Sequence, residues 1–320
     1  MRRPRLALTV GDPAGIGPEV VLKALARKAA LEADLTVFGP ASVLDAQARE
    51  LGLALVTSLG ADIVDVPLEG ALTIGRVSAA GGHASARAVL QAAEAALAGS
   101  IDGIVTAPLN KESLRAAGHT WPGHTEMLAE AAGVTDFAMM FVGGPLRVVL
   151  LTIHRSLASV PAAVTREEVL RVVRLLHREL PRFGAGRRRI AVCGVNPHAG
   201  EGGLFGREDA DVVAPAVAEL RASGLDIHGP LPADTVFVKA ARGEFDAVVA
   251  TYHDQGLIPV KLLAFGESVN VTLGLPFVRT SVDHGTAFDI AGRGVADEGS
   301  FVAALRLADR LVLERTSASA

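Results

Sequence analysis

Asp246-Ala247-Val248-Val249-Ala250-Thr251-Tyr252-His253-Asp254-Gln255-Gly256 begins as a short apolar run and ends as a polar turn. The run has the composition of a strand buried on both faces. The turn puts His253 and Asp254 at the strand's carboxyl end, where open α/β sheets place their ligands. The pattern recurs twice. His154 closes the run Arg147-Val148-Val149-Leu150-Leu151-Thr152-Ile153, and His198 closes Arg189-Ile190-Ala191-Val192-Cys193-Gly194-Val195-Asn196-Pro197. Leu6-Ala7-Leu8-Thr9-Val10, Leu35-Thr36-Val37-Phe38 and Asp102-Gly103-Ile104-Val105-Thr106 also read as strands. Helices are expected over 18 to about 30, 85–98, 166–180, 207–222 and 300–313. Thr165-Arg166-Glu167-Glu168 has the form of a capping box, and Gly224 that of a left-handed helix stop. Short strands alternating with helices predict an α/β protein with a largely parallel sheet. The small polar tail from Thr316 is expected to fray.

A chain of 320 residues suggests about two domains. No repeat or low-complexity linker marks a boundary. Residues 137–264 are expected to form one unit, and 1–136 with 265–320 the other. Net charge is −4 and aromatics are 4 %, without a basic stripe, which argues against a nucleic-acid or membrane-surface binder. The single cysteine, Cys193, excludes an intrachain disulfide and fits a reducing compartment. Its apolar setting reads as a packed, inert thiol. No run reaches the ~18 apolar residues of a membrane helix. The basic start, Met1-Arg2-Arg3-Pro4-Arg5, lacks a long enough apolar core for a signal peptide. A cytoplasmic protein is expected.

Several segments carry candidate chemistry. His154, His198 and His253 make a metal hypothesis, since imidazole is a common ligand for zinc and related divalent ions. Asp234 is available as an acidic ligand or base, or as a helix N-cap. Gly11-Asp12-Pro13-Ala14-Gly15-Ile16-Gly17-Pro18 lies between the first strand and first helix. It reads either as a phosphate-cradling turn or as a structural tight turn, and it is not the dinucleotide fingerprint. Lys111 ends Thr106-Ala107-Pro108-Leu109-Asn110-Lys111. His124 and Thr125 open a helix, as oxyanion donors or merely as caps. Lys261, Asn270 and Arg279 suit a phosphorylated, carboxylated small molecule. The polar, glycine-rich stretch Asp283-His284-Gly285-Thr286-Ala287-Phe288-Asp289 can wrap a heterocycle, with a carboxylate for ribose hydroxyls.

Taken together, Gly-Asp-Pro-Ala-Gly-Ile-Gly-Pro-Glu, Thr-Ala-Pro-Leu-Asn-Lys, Gly-His-Thr-Glu, Asn-Pro-His-Ala-Gly-Glu, Pro-Ala-Asp-Thr, Tyr-His-Asp-Gln-Gly and Asp-His-Gly-Thr-Ala resemble the 4-hydroxythreonine-4-phosphate dehydrogenase family of vitamin B6 synthesis. The resemblance runs in order from residue 6 to about 310. It implies two α/β/α domains of the isocitrate/isopropylmalate dehydrogenase type. It implies a homodimer whose active site is closed by the partner subunit. A divalent metal (zinc, magnesium or cobalt) would be held by His154, His198 and His253, with ligands from both subunits. His124, Thr125, Lys261, Asn270 and Arg279 would contact the substrate. The loop with His284, Gly285, Thr286, Ala287 and Asp289 would hold NAD, with NADP the other candidate. Asp234 and Lys111 are the candidate catalytic bases, beside a metal-bound hydroxide.

The reaction so implied is oxidation of 4-phosphooxy-L-threonine and decarboxylation to 3-amino-2-oxopropyl phosphate. Relatives act on erythronate or threonate 4-phosphate, or on a cis-dihydrodiol. A metal-dependent sugar-phosphate hydrolase or aldolase would use the same histidines without NAD. A non-catalytic phosphometabolite sensor would need no three-histidine site.

Overall fold

The computed structural model describes residues 2–27 and 31–318. Its strands, in chain order, are β1 (Arg5–Thr9), β2 (Asp34–Gly39), β3 (Ala61–Asp65), β4 (Gly103–Thr106), β5 (Ala138–Gly143) and β6 (Leu146–Leu150). They continue with β7 (Ile190–Cys193), β8 (Ile227–Leu231), β9 (Ala247–Ala250), β10 (Val269–Leu273) and β11 (Val278–Ser281). The chain forms two compact units, Met1–Thr135 with Leu275–Ala320, and Asp136–Gly274.

In the first unit the strands run in the order β3-β2-β1-β4-β11, all parallel. Parallel neighbours need crossover connections, and the helices between them supply these. Helix Ala79–Leu97 packs on β1, β2 and β4, and helix Gly299–Ala318 on β4 and β11. Leu6, Leu8, Ile104 and Val105 are fully buried between these layers. Each such side chain contributes on the order of 1.5–3 kcal/mol.

The second unit has the order β10-β5-β6-β9-β7-β8. Here β10, β5 and β6 are antiparallel neighbours, and the rest are parallel. Gly143 pairs with Leu146, so Gly144 and Pro145 form a two-residue hairpin turn. Gly144 takes φ +52, which such a turn requires and glycine adopts without strain. Helix His253–Ala264 packs on β5, β6 and β9. A side chain at Gly256 would meet Leu150 Cδ2 at 2.7 Å, so glycine sets how closely this helix approaches the sheet.

Several elements differ from the sequence expectation. The change of unit falls after Gly274 rather than after residue 264, because β10 is built into the second unit by pairing with β5. β6 ends at Leu150 and β7 at Cys193, short of the histidines expected to close them. The first helix ends at Ala26, with residues 28–30 outside the description. Helix Ala79–Leu97 starts earlier than expected, capped by Ser78 accepting from the Gly81 amide at 3.0 Å. Thr165 caps the Glu168 amide, but the Glu168 carboxylate pairs with Arg171 instead of completing the box. The segment expected as one helix over 207–222 opens with a π-helical turn, Asp209–Val213, before Ala214–Ala222. The last helix continues through Ala318, so residues 316–318 are helical; residues 319–320 lie outside the description. Among the described residues no helix is long and apolar enough to cross a membrane.

Candidate active site

Two of the three candidate ligand histidines meet in the second unit. The rings of His154 and His253 lie 5.8 Å apart, centroid to centroid. Both line one cavity of about 270 Å³, together with Thr152, Arg155, Tyr252 and Asp254. Backbone and side-chain bonds lace the loops that carry them. Thr152 Oγ1 donates to the Thr251 carbonyl at 2.8 Å, tying the end of β6 to that of β9. Gln255 Oε1 accepts from the Thr251 amide at 2.7 Å, and Gln255 Nε2 donates to the Gly194 carbonyl beyond β7 at 2.8 Å. His253 Nδ1 lies 2.6 Å from Asp254 Oδ1. With Nδ1–H donating to the carboxylate, Nε2 is left as the lone-pair nitrogen, the form in which metal-binding histidines are held.

His198 is exposed on a separate turn, Pro197–Gly203. This turn runs left-handed from His198 to Gly202, with φ 52 at His198, 53 at Ala199 and 45 at Glu201. Left-handed backbone costs roughly 1–2 kcal/mol at each non-glycine residue. The buried Asp209 carboxylate offsets part of that by accepting from the amides of Val195 and Asn196 at 2.7 and 3.0 Å. Among the described residues no group of three or more His, Cys, Asp or Glu side chains is assembled to hold a metal ion. A single chain therefore brings His154 and His253 together, without His198. Asp234 sits exposed in the first turn of helix Ala233–Ala241, whose N-cap is Pro232, so it is not the cap. Lys261 is half-buried on helix His253–Ala264. Asn270 lies on β10, its Oδ1 buried without a hydrogen-bond partner among the described residues. Cys193 is fully buried and burial pushes its thiol pKa up, so it stays protonated and inert.

The first unit carries Arg279, His124 and Thr125 of the anion-binding candidates, whereas Lys261 and Asn270 belong to the second. Arg279 on β11 is only 2 % exposed. Its Nη2 donates to Thr106 Oγ1, at the end of β4, at 2.8 Å. Thr106 Oγ1 donates to Ser281 Oγ at 2.8 Å, and Ser281 Oγ donates to the Thr106 carbonyl at 3.0 Å. The guanidinium is thus oriented by a closed hydroxyl circuit on two adjacent strands. Desolvation pulls its pKa down to about 9, against the attraction of Glu126. It remains a cation at neutral pH. His124 and Thr125 begin helix His124–Ala131, whose N-cap is Gly123; neither is the cap. Burial first, and the Arg279 charge second, hold the His124 pKa well below its ordinary value. Its Nε2 is buried with no partner among the described residues. A neutral imidazole and a buried cation beside the positive end of a helix together favour an anionic group. Lys111 is exposed as the first residue of helix Lys111–Ala116, which Asn110 caps by accepting from the Ser113 amide at 2.9 Å. Thr106, Ser281 and Glu126 were not singled out in the sequence. Thr106 opens the Thr-Ala-Pro-Leu-Asn-Lys motif and Glu126 closes Gly-His-Thr-Glu, whereas Ser281 carried no signal.

The loop after β11 carries the cofactor candidates. Thr286 is 8 % exposed, whereas Gly285 and Asp289 are exposed. Ala287 takes φ +42. His284 Nδ1 lies 3.0 Å from the Gly285 carbonyl and donates to it. The loop is pinned on its inner side and presents a carboxylate outward.

Residues 13–308 match the family model described as pyridoxal phosphate biosynthetic protein PdxA. The chain is 46 % identical to a 4-hydroxythreonine-4-phosphate dehydrogenase of Geobacter metallireducens, over 96 % of this chain and 95 % of that one. It is also 46 % identical to a D-threonate 4-phosphate dehydrogenase of Cupriavidus necator, over 98 % of both. A crystal structure of 4-hydroxythreonine-4-phosphate dehydrogenase from Klebsiella pneumoniae superposes with a TM-score of 0.88 at 43 % identity, covering 97 % of this chain and 99 % of that one. A beta-decarboxylating dehydrogenase from Thermococcus kodakarensis shares the fold alone, at 16 % identity and a TM-score of 0.53 over 96 % of this chain and 83 % of that one.

Proposed function

Because this chain belongs to the pyridoxal phosphate biosynthetic protein PdxA family, we propose that it is an NAD-dependent, divalent-metal-dependent dehydrogenase acting on 4-phosphooxy-L-threonine. The C3 hydroxyl loses its proton and C3 loses a hydride to NAD⁺, giving the 3-oxo acid and NADH. The C1 carboxylate then leaves as CO₂, and protonation at C2 yields 3-amino-2-oxopropyl phosphate. The observation that carries this reading is the buried Arg279 cation beside a neutral His124. Such a pair is built for an anion, and it sits at the strand ends where this fold takes ligands.

Arg279, His124, Thr125, Lys261 and Asn270 are proposed to hold the phosphate and carboxylate, so that C3 is presented in one orientation. Lys111 and Asp234 are the side chains proposed to take the hydroxyl proton. His154 and His253 suit a divalent metal, since they share one cavity and Asp254 fixes the His253 tautomer. His198, which the single chain does not bring to them, would come from a second copy. When bound, the metal supplies Lewis-acid stabilisation of oxygen charge in both steps. Asp289 and its loop are proposed to hold the adenosine end of NAD.

A homodimer is proposed on two supports. One is the divided histidine set. The other is the outer face of helix His253–Ala264 and the residue after it, where Ile258, Leu262 and Phe265 are 66, 82 and 85 % exposed. Large apolar side chains at this spacing form one stripe, which a second copy would cover. The buried thiol and the lack of disulfides fit the cytoplasm. D-Threonate 4-phosphate is the second reading, because a relative so named is as similar as the 4-hydroxythreonine-4-phosphate enzyme. The test is NADH formation with 4-phosphooxy-L-threonine, the 4-phosphates of threonate and erythronate, and a cis-dihydrodiol, with and without added divalent metal. Rapid turnover of the first alone supports the proposal. Preference for threonate 4-phosphate selects the second reading, and no NADH from any of them rejects both.

A further inference from the structure

The glycine-rich turn between β1 and the first helix is left without a role by the proposed reaction. Four of its amides are already taken within the protein. Asp12 N donates to the Pro108 carbonyl at 2.9 Å, and Gly15 N to the Asp12 carbonyl at 3.0 Å. Ala14 N donates to Asp12 Oδ1 at 2.9 Å, so a fully buried carboxyl already occupies that donor. Ile16 N donates to the carbonyl of Thr286 at 3.0 Å. The amide at the helix entrance is therefore taken by the loop after β11.

Contact with that loop is closest where side chains are missing. A Cβ on Gly15 would lie 2.8 Å from the Thr286 carbonyl oxygen, 2.9 Å from Thr286 Cβ and 3.3 Å from Phe288 Cε1. Gly75 lies against the same loop, where an added Cβ would stand 2.8 Å from the Phe288 carbonyl oxygen. Gly75 is itself held to the turn, its amide donating to the Ala14 carbonyl at 2.8 Å. Between these two contacts Ala287 is held at φ +42, a conformation a free loop would abandon. Thr286 is buried by the arrangement, while Gly285 and Asp289 on either side stay exposed.

We propose that the turn is the seat of the cofactor loop, with Gly15 and Gly75 acting as positioning residues that set where Asp289 and its neighbours meet the adenosine end of a dinucleotide. This rests on the reading that the dinucleotide lies on the loop around His284 to Asp289. Gly15→Ala forces the loop outward. The expected effect is a loss of NADH affinity, because the outward shift carries Asp289 away from the position it would hold against the dinucleotide.

The experiment measures NADH affinity by fluorescence titration, KM for NAD and for the phosphorylated substrate, and melting, on the metal-loaded protein. Gly15→Ala is compared with Gly99→Ala, a left-handed glycine at φ +72 with nothing within 4 Å of an added Cβ. Gly99→Ala is a glycine-to-alanine change that strains the backbone without touching the loop. The expected result is weaker NADH binding and a raised KM for NAD in Gly15→Ala alone, with the substrate KM unchanged. Asp289→Asn and His284→Ala separate the two levels of the argument. If they weaken NADH binding and Gly15→Ala does not, the seat is overturned and the cofactor assignment stands. If none of the three alters NADH binding, both are overturned. Should Gly15→Ala fail to fold, hydrogen exchange on the unaltered protein decides. NADH should protect the peptide over residues 12–17 together with that over 283–291, and protection of the second alone overturns the seat.

Discussion

Arg279→Met removes the buried cation while keeping an unbranched chain of similar length. The guanidinium donates to Thr106 Oγ1 at 2.8 Å, and that hydroxyl in turn donates to Ser281. When the cation is lost, the hydroxyl circuit still closes through Ser281 to the Thr106 carbonyl. No hydroxyl donor in it is orphaned, so this circuit adds no penalty. Burying a charge is itself costly, but Glu126 attracts this one, and removing one partner of such an attraction is destabilising. The melting temperature is therefore expected to fall. Activity should fall further than a loss of stability explains. Losing a charge-assisted hydrogen bond to an anion costs on the order of 1.5–3 kcal/mol, which is about ten- to 150-fold in kcat/KM for the phosphorylated substrate. NAD affinity should not change. The assay is steady-state NADH formation with each substrate varied at saturating levels of the other, beside a melting curve. A second arm uses Thr106→Val, which leaves the buried Arg279 donor without its hydroxyl, and Thr106→Ser, which restores it. Two results would refute the reasoning: kcat/KM of Arg279→Met within about threefold of the parent, or a defect confined to NAD.

Three further outcomes are expected. His198→Ala should lower both metal content and turnover while the fold persists, read by elemental analysis and circular dichroism; full metal content with full activity would remove His198 from the site. Asp289→Asn should weaken NAD use and narrow the NAD over NADP preference, because a carboxylate accepts from the ribose hydroxyls and repels a 2′-phosphate; an unchanged ratio of kcat/KM with a lowered melting temperature would mean a structural role instead. The third concerns acid. The folded chain holds His124 neutral below its ordinary pKa of 6.5, so below that pH the unfolded chain binds a proton that the folded one refuses. Stability from this group is complete above 6.5 and falls by up to about 1.4 kcal/mol per pH unit as the solution is acidified toward the folded value. His124→Gln should be less sensitive to acid over that window in denaturant titrations; parallel curves for the two proteins would show that His124 is not the group responsible.

Much of this protein was legible in its sequence by itself. Short apolar runs bounded by turn residues, such as Ala247–Ala250, read as strands buried on both faces, because burial on both faces leaves no polar alternation. The polar turns after them marked the ligand end of the sheet, and Arg279, His124 and the loop at Asp289 were named on residue type and position. The tertiary structure decided what side chains of distant segments do together. That Thr106 and Ser281 aim Arg279 follows from β4 and β11 lying side by side, although 175 positions separate the two hydroxyls in sequence. That β10 belongs to the second unit follows from its pairing with β5. The glycine turn read equally well as an anion cradle until the partners of its amides were seen. Sequence shows that a backbone donor exists, and only the folded chain shows whether another part of the protein has already taken it. The histidines make the same point. Three strand-end positions looked equivalent in sequence, yet β7 stops at Cys193 and the left-handed turn carries His198 apart from the pair formed by His154 and His253.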